Sequence, residues 1–343
     1  MRKVYLNENY FRPKTRHESV HIHFFLSQGG LGDYINHMPA FQWLAEKCPH
    51  LEGRLFVNKP FLEVAEFIMR PYKQWKVINK VLAPKFLKTG DAVVDPVNYK
   101  KFINATGAHL LDLGFMFYAC HDKPYAGYNR LPSINYSKPW RWPELNPDWE
   151  YAIFTPGATA QARAVPAKHF NNLVDYTISK GVTPVFLGKA DFAGLGKKEG
   201  SSKGYYAKFD EGYDFSRGVD LREKTTLLEA VQIMRGAKFV IGVDNGLLHF
   251  AGCTEVPIIF GHTVAEVEHR KIRRPKGLTI DIAISRDSLP CIGCQSNMRY
   301  IMGHQFKFCI YGDYQCLDLI FADDARTWKQ AIDVVLEHGT GSA

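Results

Sequence analysis

The sequence lacks the features that mark several specialised classes of protein. No apolar run reaches the ~20 residues that span a bilayer, so no transmembrane segment is expected. Residues 1–19 are charged and polar and lack the apolar core of a secretory signal. Low-complexity tracts and internal sequence repeats are absent. Seven cysteines in 343 residues are too few for a disulfide scaffold. We therefore expect a protein of a reducing cytoplasm.

The composition is that of an ordinary globular protein. Hydrophobic residues make up 46% of the chain and charged residues 23%, which supports a sizeable core and excludes disorder. The length predicts two domains. Lys and Arg number 43 against 35 Asp and Glu, a net charge of +8. This excess favours an anionic partner: a nucleotide, a phosphorylated glycan, an anionic membrane or nucleic acid.

Three segments share one order of elements: an apolar run, a Gly-containing turn and a helical pattern. They lie at residues 20–47, 151–188 and 238–261. Strands that alternate with helices predict an open, mostly parallel α/β sheet. A stretch rich in Trp and Pro precedes the second segment and is typical of a linker. We predict doubly wound domains at residues 1–140 and 151–322, a linker at 141–150, and a C-terminal helix and tail at 323–343.

The first Gly-containing turn carries Asp33 and two candidate ligand-binding residues, Gly30 and Gly32. It lies between a predicted strand and a helix predicted from Tyr34 to Lys47. The G-x-G-x-x-G spacing of dinucleotide-binding folds is absent. Parallel sheets bind ligands at the carboxyl ends of their strands, and Asp33 is predicted at such an end. Two interpretations stay open for its carboxylate: a helix cap and a catalytic base.

Two further turns carry polar residues at predicted strand ends. Thr159, Arg163 and Lys168 surround the start of a helix, where amides and cations favour a diphosphate, although a solvated surface turn is the simpler alternative. The third turn places an acid, a glycine and a histidine together, and that histidine could equally be structural. Its candidate ligand-binding residues are Asp244, Asn245, Gly246, Leu247 and His249.

Together these turns resemble the heptosyltransferase family of glycosyltransferases. The resemblance lies in Gly32-Asp33 with Met38-Pro39-Ala40, in Pro156-Gly157-Ala158-Thr159, and above all in residues 244–251 followed by 257–263. The last block is similar to the family pattern D-T-G-x-x-H-x-A, with Asn245 in place of Thr. The resemblance implies the GT-B fold, in which two Rossmann-like domains face each other across a cleft.

The resemblance also implies a mechanism. Asp33 is expected to take the proton from an acceptor hydroxyl that attacks the anomeric carbon of a nucleotide-sugar, with inversion. Thr159 and Arg163 are expected to hold the leaving diphosphate, helped by the turn at residues 244–249. The family needs no divalent ion for this chemistry. An ADP-sugar such as ADP-heptose is the favoured donor, and a lipopolysaccharide-type glycan or a protein is the favoured acceptor.

Four of the seven cysteines cluster near the C-terminus. Cys291 and Cys294 form a C-x-x-C pair, and Cys309 and Cys316 follow. Four thiolates at such spacing are typical of a structural zinc or iron site, and related heptosyltransferases that modify adhesins carry such a metal. Two disulfides or buried thiols are the alternatives.

Other functions and partners stay open. A basic run at residues 266–276 could attract an anionic acceptor, or simply form a solvated face. The alternatives to a glycan or protein glycosyltransferase are a DNA-modifying glycosyltransferase acting on a hydroxylated base and a non-catalytic nucleotide-binding protein. A homo-oligomer is an open possibility. The expected location is the cytoplasm, either free or at the inner face of the membrane.

Overall fold

The computed structural model describes residues 2–3, 20–26, 30–87, 92–95, 108–119, 124–157, 163–189, 212–294, 309, 311 and 313–339. The chain forms two compact units, residues 1–134 with 273–275 and residues 135–272 with 276–343. Each unit contains a parallel sheet with helices, which confirms the predicted α/β class. Within the described part of the chain, no helix is both long and apolar enough to cross a membrane.

The first unit is built on five parallel strands. They are β1 (Arg2–Lys3), β2 (Val20–Leu26), β3 (Leu51–Val57), β4 (Trp75–Asn79) and β5 (Ala92–Val94). Their order is β1-β5-β2-β3-β4. The α-helices of this unit are α1 (Leu31–Lys47), α2 (Leu62–Met69), α3 (Ala83–Phe86) and α4 (Leu110–Gly114). Short 3₁₀ helices lie at Lys59–Phe61 and Lys80–Leu82, and a π-helix at Phe115–Ala119.

The middle strand and the helix that follows it position the first Gly-containing turn. The last five residues of β2 are buried, as expected for a strand inside a parallel sheet. Helix α1 begins at Leu31, three residues earlier than predicted, with Gly30 as its N-cap. Helix α4 packs closely on α1, because a Cβ on Gly114 would lie 2.9 Å from the Cα of His37. These contacts fix Asp33 in the first turn of α1, at the carboxyl end of the sheet.

The second unit is built on six parallel strands. They are β6 (Tyr151–Thr155), β7 (Thr183–Phe186), β8 (Val219–Asp220), β9 (Phe239–Val243), β10 (Ile258–His262) and β11 (Thr279–Ala283). Their order is β11-β10-β9-β6-β7-β8. The α-helices are α5 (Ala167–Ser179), α6 (Leu227–Arg235), α7 (Gly246–Ala251), α8 (Val267–Arg270), α9 (Gln315–Ile320) and α10 (Ala322–Gly339), and a 3₁₀ helix lies at Phe215–Arg217.

The C-terminal helix closes the core of the second unit. Trp328 of α10 is fully buried, its ring stacks on Phe321 at 4.8 Å between centroids, and its Nε1 donates to the Ile320 carbonyl at 2.8 Å. Helix α10 begins at Ala322, one residue before the predicted start of the C-terminal helix and tail at 323. Residues 323–325 have positive φ, so the first turn is kinked. The burial of Trp328 therefore anchors a segment that the sequence predicted only as a terminal helix.

The start of the predicted linker and the residues just before it make specific contacts inside the second unit. Arg141 binds Glu229 of α6 through two bonds, Nε to Oε1 at 2.8 Å and Nη2 to Oε2 at 2.7 Å. The Lys138 amide donates to Gln232 Oε1 at 3.0 Å, and Gln232 Nε2 donates to the Lys138 carbonyl at 2.8 Å. Because Glu229 also closes the capping box of α6 with Thr226, this connection is tied to the start of that helix.

Candidate functional site

A buried group of charged side chains lies at the carboxyl end of the second unit's sheet. Asp244 follows β9, and its side chain is 4% exposed. Its carboxylate lies 3.2 Å from Arg163 Nη1, 3.9 Å from Arg270 Nε and 3.6 Å from His249 Nε2. The structure thus brings together three predicted residues, Arg163, Asp244 and His249, and adds Arg270. We call these four residues the Asp244 cluster.

The two arginines keep Asp244 charged in this buried position. Burial alone would raise the pKa of the Asp244 carboxyl. The guanidinium groups of Arg270 and Arg163, and a hydrogen bond from His249, outweigh burial and hold that pKa well below its usual range. Within these four side chains two guanidinium cations meet one carboxylate, so the cluster carries a surplus positive charge. Such a surplus suits a phosphate-bearing ligand.

The turn that carries Asp244 is held by its neighbour Asn245. This residue is the N-cap of α7, and its side-chain oxygen accepts from the Leu248 amide at 3.1 Å. Its Nδ2 donates to the Thr155 carbonyl at 2.8 Å, which ties the ends of β9 and β6 together. Asn245 therefore has a structural role here. Gly246 and Leu247 form the first turn of α7, and both are half-buried.

Two residues predicted to bind the donor, Lys168 and Thr159, are not members of the Asp244 cluster. Lys168 lies in the first turn of α5 and is exposed. The pKa of Asp324 is lowered mainly by a hydrogen bond from Lys329, and more weakly by the charge of Lys168. Lys168 thus acts electrostatically on the start of α10. Thr159 lies outside the described residues.

A second histidine lies next to the Asp244 cluster and was missed in the sequence. His262 ends β10, is 2% exposed, and its Nε2 lies 2.7 Å from Asp281 Oδ1 on β11. Its ring stacks on Phe260 at 4.0 Å, and Phe260 also contacts the His249 ring edge-on at 5.9 Å. The register pairs Gly261 with Val243, so the next residues, His262 and Asp244, share one face of the sheet. Because β11 is remote in sequence, only the strand pairing reveals this His–Asp pair.

Gly30 takes the N-cap position of α1, and Asp33 of the first unit supports that helix start from inside the first turn. It is the third residue of α1, and its Oδ2 accepts from the Gly30 amide at 2.5 Å. The Gly32 carbonyl accepts from Asn36 Nδ2 at 2.7 Å, which supports the same turn. A carboxylate has two oxygens and about four lone-pair sites, so this cap leaves capacity to accept a proton. The two interpretations of Asp33 are therefore compatible.

Titratable side chains that no sequence motif indicated surround Asp33. Asp95 follows β5, and the pairing of Phe24 with Val94 places it beside the end of β2. Tyr118 is buried and donates to the Phe25 carbonyl at 3.1 Å. Burial, then Asp95, Tyr34 and Asp33, raise the pKa of the Tyr118 hydroxyl well above its usual value, so it stays protonated.

His37 lies one turn beyond Asp33 and is neutral at physiological pH. Burial lowers the pKa of His37 to about 4, although the charge of Asp33 opposes the shift. Burial also raises the pKa of Tyr34, and Asp33 adds to this effect, while a hydrogen bond with Asn58, 2.6 Å from the Tyr34 oxygen, opposes it. A neutral histidine and two protonated tyrosine hydroxyls, those of Tyr34 and Tyr118, thus lie near Asp33.

The four clustered cysteines are free thiols in electrostatic contact. Burial, and then the neighbouring Cys294, Cys309 and Cys291, raise the pKa of Cys316 to about 12. The Cys309 thiol lies 3.6 Å from Asp313 Oδ1. Among the described residues, no three His, Cys, Asp or Glu side chains are arranged to hold a metal ion. The thiols are thus neighbours without forming a metal-binding group in that part of the chain.

The basic run at residues 266–276 is largely neutralised by acids. Arg270 contacts Asp244, and Arg273 binds Asp112 through two bonds, with Nη1 at 2.5 Å and Nη2 at 3.2 Å. Lys271 pairs with Glu268 at 2.6 Å, and Lys276 with Glu255 at 3.8 Å. These four cations therefore have acidic partners within the fold, and the attraction of an anionic acceptor by this run stays a prediction.

A family model and several solved structures of glycosyltransferases are similar to this chain. Residues 123–269 match the model of Glycosyltransferase family 9 (heptosyltransferase). No curated protein sequence gives a significant match. The iron-containing dodecameric glycosyltransferase TibC from enterotoxigenic E. coli H10407 is 14% identical with a TM-score of 0.65, covering 94% of this chain and 77% of TibC. TibC in complex with ADP-D-β-D-heptose is 15% identical, with a TM-score of 0.67 and coverages of 95% and 78%.

A third solved structure extends the likeness to another heptosyltransferase. E. coli heptosyltransferase WaaC with ADP is 15% identical with a TM-score of 0.51, covering 92% of this chain and 100% of WaaC. At these identities the likeness concerns the fold, and it confirms the predicted GT-B class with two Rossmann-like domains.

Proposed function

From the family match over residues 123–269, which indicates a heptosyltransferase-like glycosyltransferase, we propose that this chain transfers a heptose or similar sugar from an ADP-sugar to an acceptor hydroxyl. The Asp244 cluster is the observation that carries this proposal. It offers two guanidinium groups at the carboxyl end of the second unit's sheet, where such folds bind nucleotides. Solved complexes of TibC with ADP-D-β-D-heptose and of WaaC with ADP favour adenosine diphosphate over other nucleotides.

In the proposed reaction the acceptor oxygen attacks the anomeric carbon while the bond from that carbon to the diphosphate breaks. Asp33 takes the proton of the acceptor hydroxyl, and ADP leaves with the electron pair of the broken bond. Attack from the face opposite the leaving group inverts the anomeric centre. A base positioned in this way contributes typically about 10²–10⁴-fold to a rate.

Arg163 and Arg270 stabilise the leaving diphosphate in this proposal. Their cations are preorganised by Asp244, so little reorganisation is needed when negative charge develops on the leaving group. His249 fixes the second carboxylate oxygen of Asp244. Thr159 and Lys168 stay predicted donor contacts. The acceptor is proposed to be a lipopolysaccharide-type glycan or a protein.

Nucleotide binding tests the proposal directly. Thermal unfolding of the wild-type protein is measured with ADP, UDP, GDP and CMP, because a ligand that binds only the folded state raises its apparent stability. We expect the largest shift with ADP and a loss of most of that shift in Arg163→Gln. Arg235→Gln is the matched control, since Arg235 is exposed at the end of α6. The absence of a shift with any of the four nucleotides contradicts the proposal.

We also propose a structural zinc or iron bound by Cys291, Cys294, Cys309 and Cys316. Four free thiols in electrostatic contact support it, and TibC is described as iron-containing. The thiols would have to converge to bind the metal, and four thiolates would leave no open position for catalysis. Elemental analysis of the purified protein is expected to find one metal per chain, retained in Cys48→Ala and lost in Cys294→Ser. A metal content of zero in the wild type contradicts this assignment.

TibC is dodecameric, and we propose that this chain also forms a homo-oligomer. Light scattering coupled to gel filtration measures the molar mass of the assembly. A mass equal to one chain across the working concentration range contradicts this part of the proposal.

A further inference from the structure

Most of the positive charge surplus of the chain comes from one segment that the sequence motifs did not indicate. Residues 67–90 contain six cations and no acid, whereas the whole chain has a net charge of +8. The six are Arg70, Lys73, Lys76, Lys80, Lys85 and Lys88. A run of this kind acts electrostatically only if its charges are not already neutralised inside the fold.

The described cations of this segment have no acidic partner within ion-pair distance among the described residues. Arg70, Lys73, Lys76 and Lys85 are exposed, and Lys80 is half-exposed. This arrangement differs from the run at residues 266–276, where four cations contact acids. Five described cations without an acidic partner in the described part of the chain therefore lie along the edge of the first unit.

Exposed apolar side chains lie among these cations. After the edge strand β4, the chain forms the 3₁₀ helix Lys80–Leu82 and then α3. Ala83 packs on the core of the first unit, and Leu87 is partly buried against the same core. The side chains that point away from it are Val81, 80% exposed, Leu82, 40% exposed, and Phe86, 38% exposed. We call residues 70–87 the β4–α3 surface.

We propose that the β4–α3 surface binds an anionic membrane. Lysines attract anionic headgroups, each contributing about 1 kcal/mol near the surface. Val81, Leu82 and Phe86 supply apolar side chains that can enter the boundary between headgroups and acyl chains. Charge complementarity alone would also suit nucleic acid, but a phosphate backbone offers no apolar environment for two exposed aliphatic side chains. The combination of both features favours a lipid surface.

The position of the surface connects it to the proposed acceptor side. The 3₁₀ helix at Lys80 begins at the carboxyl end of β4, and Asp33 lies in the turn after the carboxyl end of β2. Only β3 separates these strands, so they lie about 10 Å apart. A lipid-linked acceptor in a bound membrane would therefore be close to Asp33. This last step rests on the proposed function, whereas the membrane binding itself does not.

Vesicle co-sedimentation of the full-length protein tests the inference. We expect binding to vesicles that contain phosphatidylglycerol, little binding to pure phosphatidylcholine, and weaker binding as salt is raised. Lys80→Gln with Lys85→Gln is expected to lose about 30-fold in partition, from about 1 kcal/mol for each lysine. Lys271→Gln with Lys276→Gln removes the same charge from the neutralised run and is expected to bind nearly as the wild type does.

A second variant separates a membrane surface from a protein interface. Val81→Ser with Leu82→Ser is expected to reduce vesicle binding while the molar mass from light scattering stays unchanged, and unfolding curves check that the variant is folded. If this variant changes the molar mass but binds vesicles as the wild type does, the surface is an interface between copies of the chain and the inference is wrong. Equal binding of both lysine variants, or preference for duplex DNA over vesicles, also overturns it.

Discussion

The carboxyl ends of the two sheets carry charged groups in opposite arrangements. In the second unit, Asp244 is enclosed by Arg163, Arg270 and His249, so a buried acid orders two cations. In the first unit, Asp33 is half-buried and caps a helix. In the proposed reaction, the second unit supplies fixed positive charge to a diphosphate, and the first supplies a carboxylate that takes a proton. Each prediction below changes one side of this comparison.

The largest effect is expected from Asp33→Asn. Removal of the proposed base should reduce sugar transfer about 10²–10⁴-fold while the affinity for ADP-heptose is retained. The assay measures ADP release in the presence of a glycan acceptor and of a protein acceptor. Because Asn keeps a side-chain oxygen that can accept from the Gly30 amide, thermal stability should change little. Normal turnover of this variant with either acceptor would exclude Asp33 as the base.

Asp244→Ala should mainly affect stability. It leaves the guanidinium groups of Arg163 and Arg270 without their shared acid, and breaking a partly buried ion pair in this way costs about 3–5 kcal/mol. Urea unfolding measures this loss. Asp281→Ala is the control, because Asp281 is 29% exposed and should cost less. Equal losses for the two variants would show that Asp244 does not organise a special cluster.

His37 should make the stability of the first unit depend on pH. Its pKa in the folded protein is about 4, below the ordinary 6.5, so the unfolded chain binds this proton more readily. The contribution of neutral His37 to the free energy of unfolding is therefore fully present above pH 6.5. It is lost as the pH falls toward about 4, and the loss reaches up to about 3 kcal/mol. His37→Gln should flatten that part of the curve of unfolding free energy against pH. Urea unfolding of the wild type and of this variant over that pH range measures the difference, and identical curves would contradict this assignment.

The smallest effect is expected from Gly114→Ala. The added Cβ would lie 2.9 Å from the Cα of His37, so α4 must move away from α1 at a cost of about 1–3 kcal/mol. This packing supports the helix that carries Asp33. We expect a lower unfolding temperature together with unchanged ADP affinity, because the second unit is not touched. A loss of ADP affinity would contradict the assignment of the donor to the second unit.

The parts of this account that were predictable from sequence depend on local patterns. Apolar runs followed by glycine turns predicted the parallel sheets. Residues 244–249 stood out because an acid, a glycine and a histidine are close in the chain, and their binding of a ligand stays a prediction. Arg270 and the His262–Asp281 pair were missed because their partners come from other strands and turns. Asp95 was missed because nothing in its neighbourhood in sequence marks it, and only the pairing of β5 with β2 places it near Asp33.

The two basic segments show a second limit of sequence reasoning. The run at residues 266–276 is dense, so it attracted notice, but its acids are Asp112, Asp244, Glu255 and Glu268, two of them distant in sequence. The lysines of the β4–α3 surface are spread over a strand and two short helices, so they form no obvious run. Whether a charge is neutralised depends on tertiary contacts, which the sequence does not show.

Calorimetric titration of ADP-heptose into the wild type, Asp33→Asn and Arg163→Gln separates donor binding from proton transfer. We expect similar affinity for the wild type and Asp33→Asn, and clearly weaker binding for Arg163→Gln. No measurable binding to the wild type, or the same affinity for all three proteins, would contradict the assignment of the donor diphosphate to the Asp244 cluster.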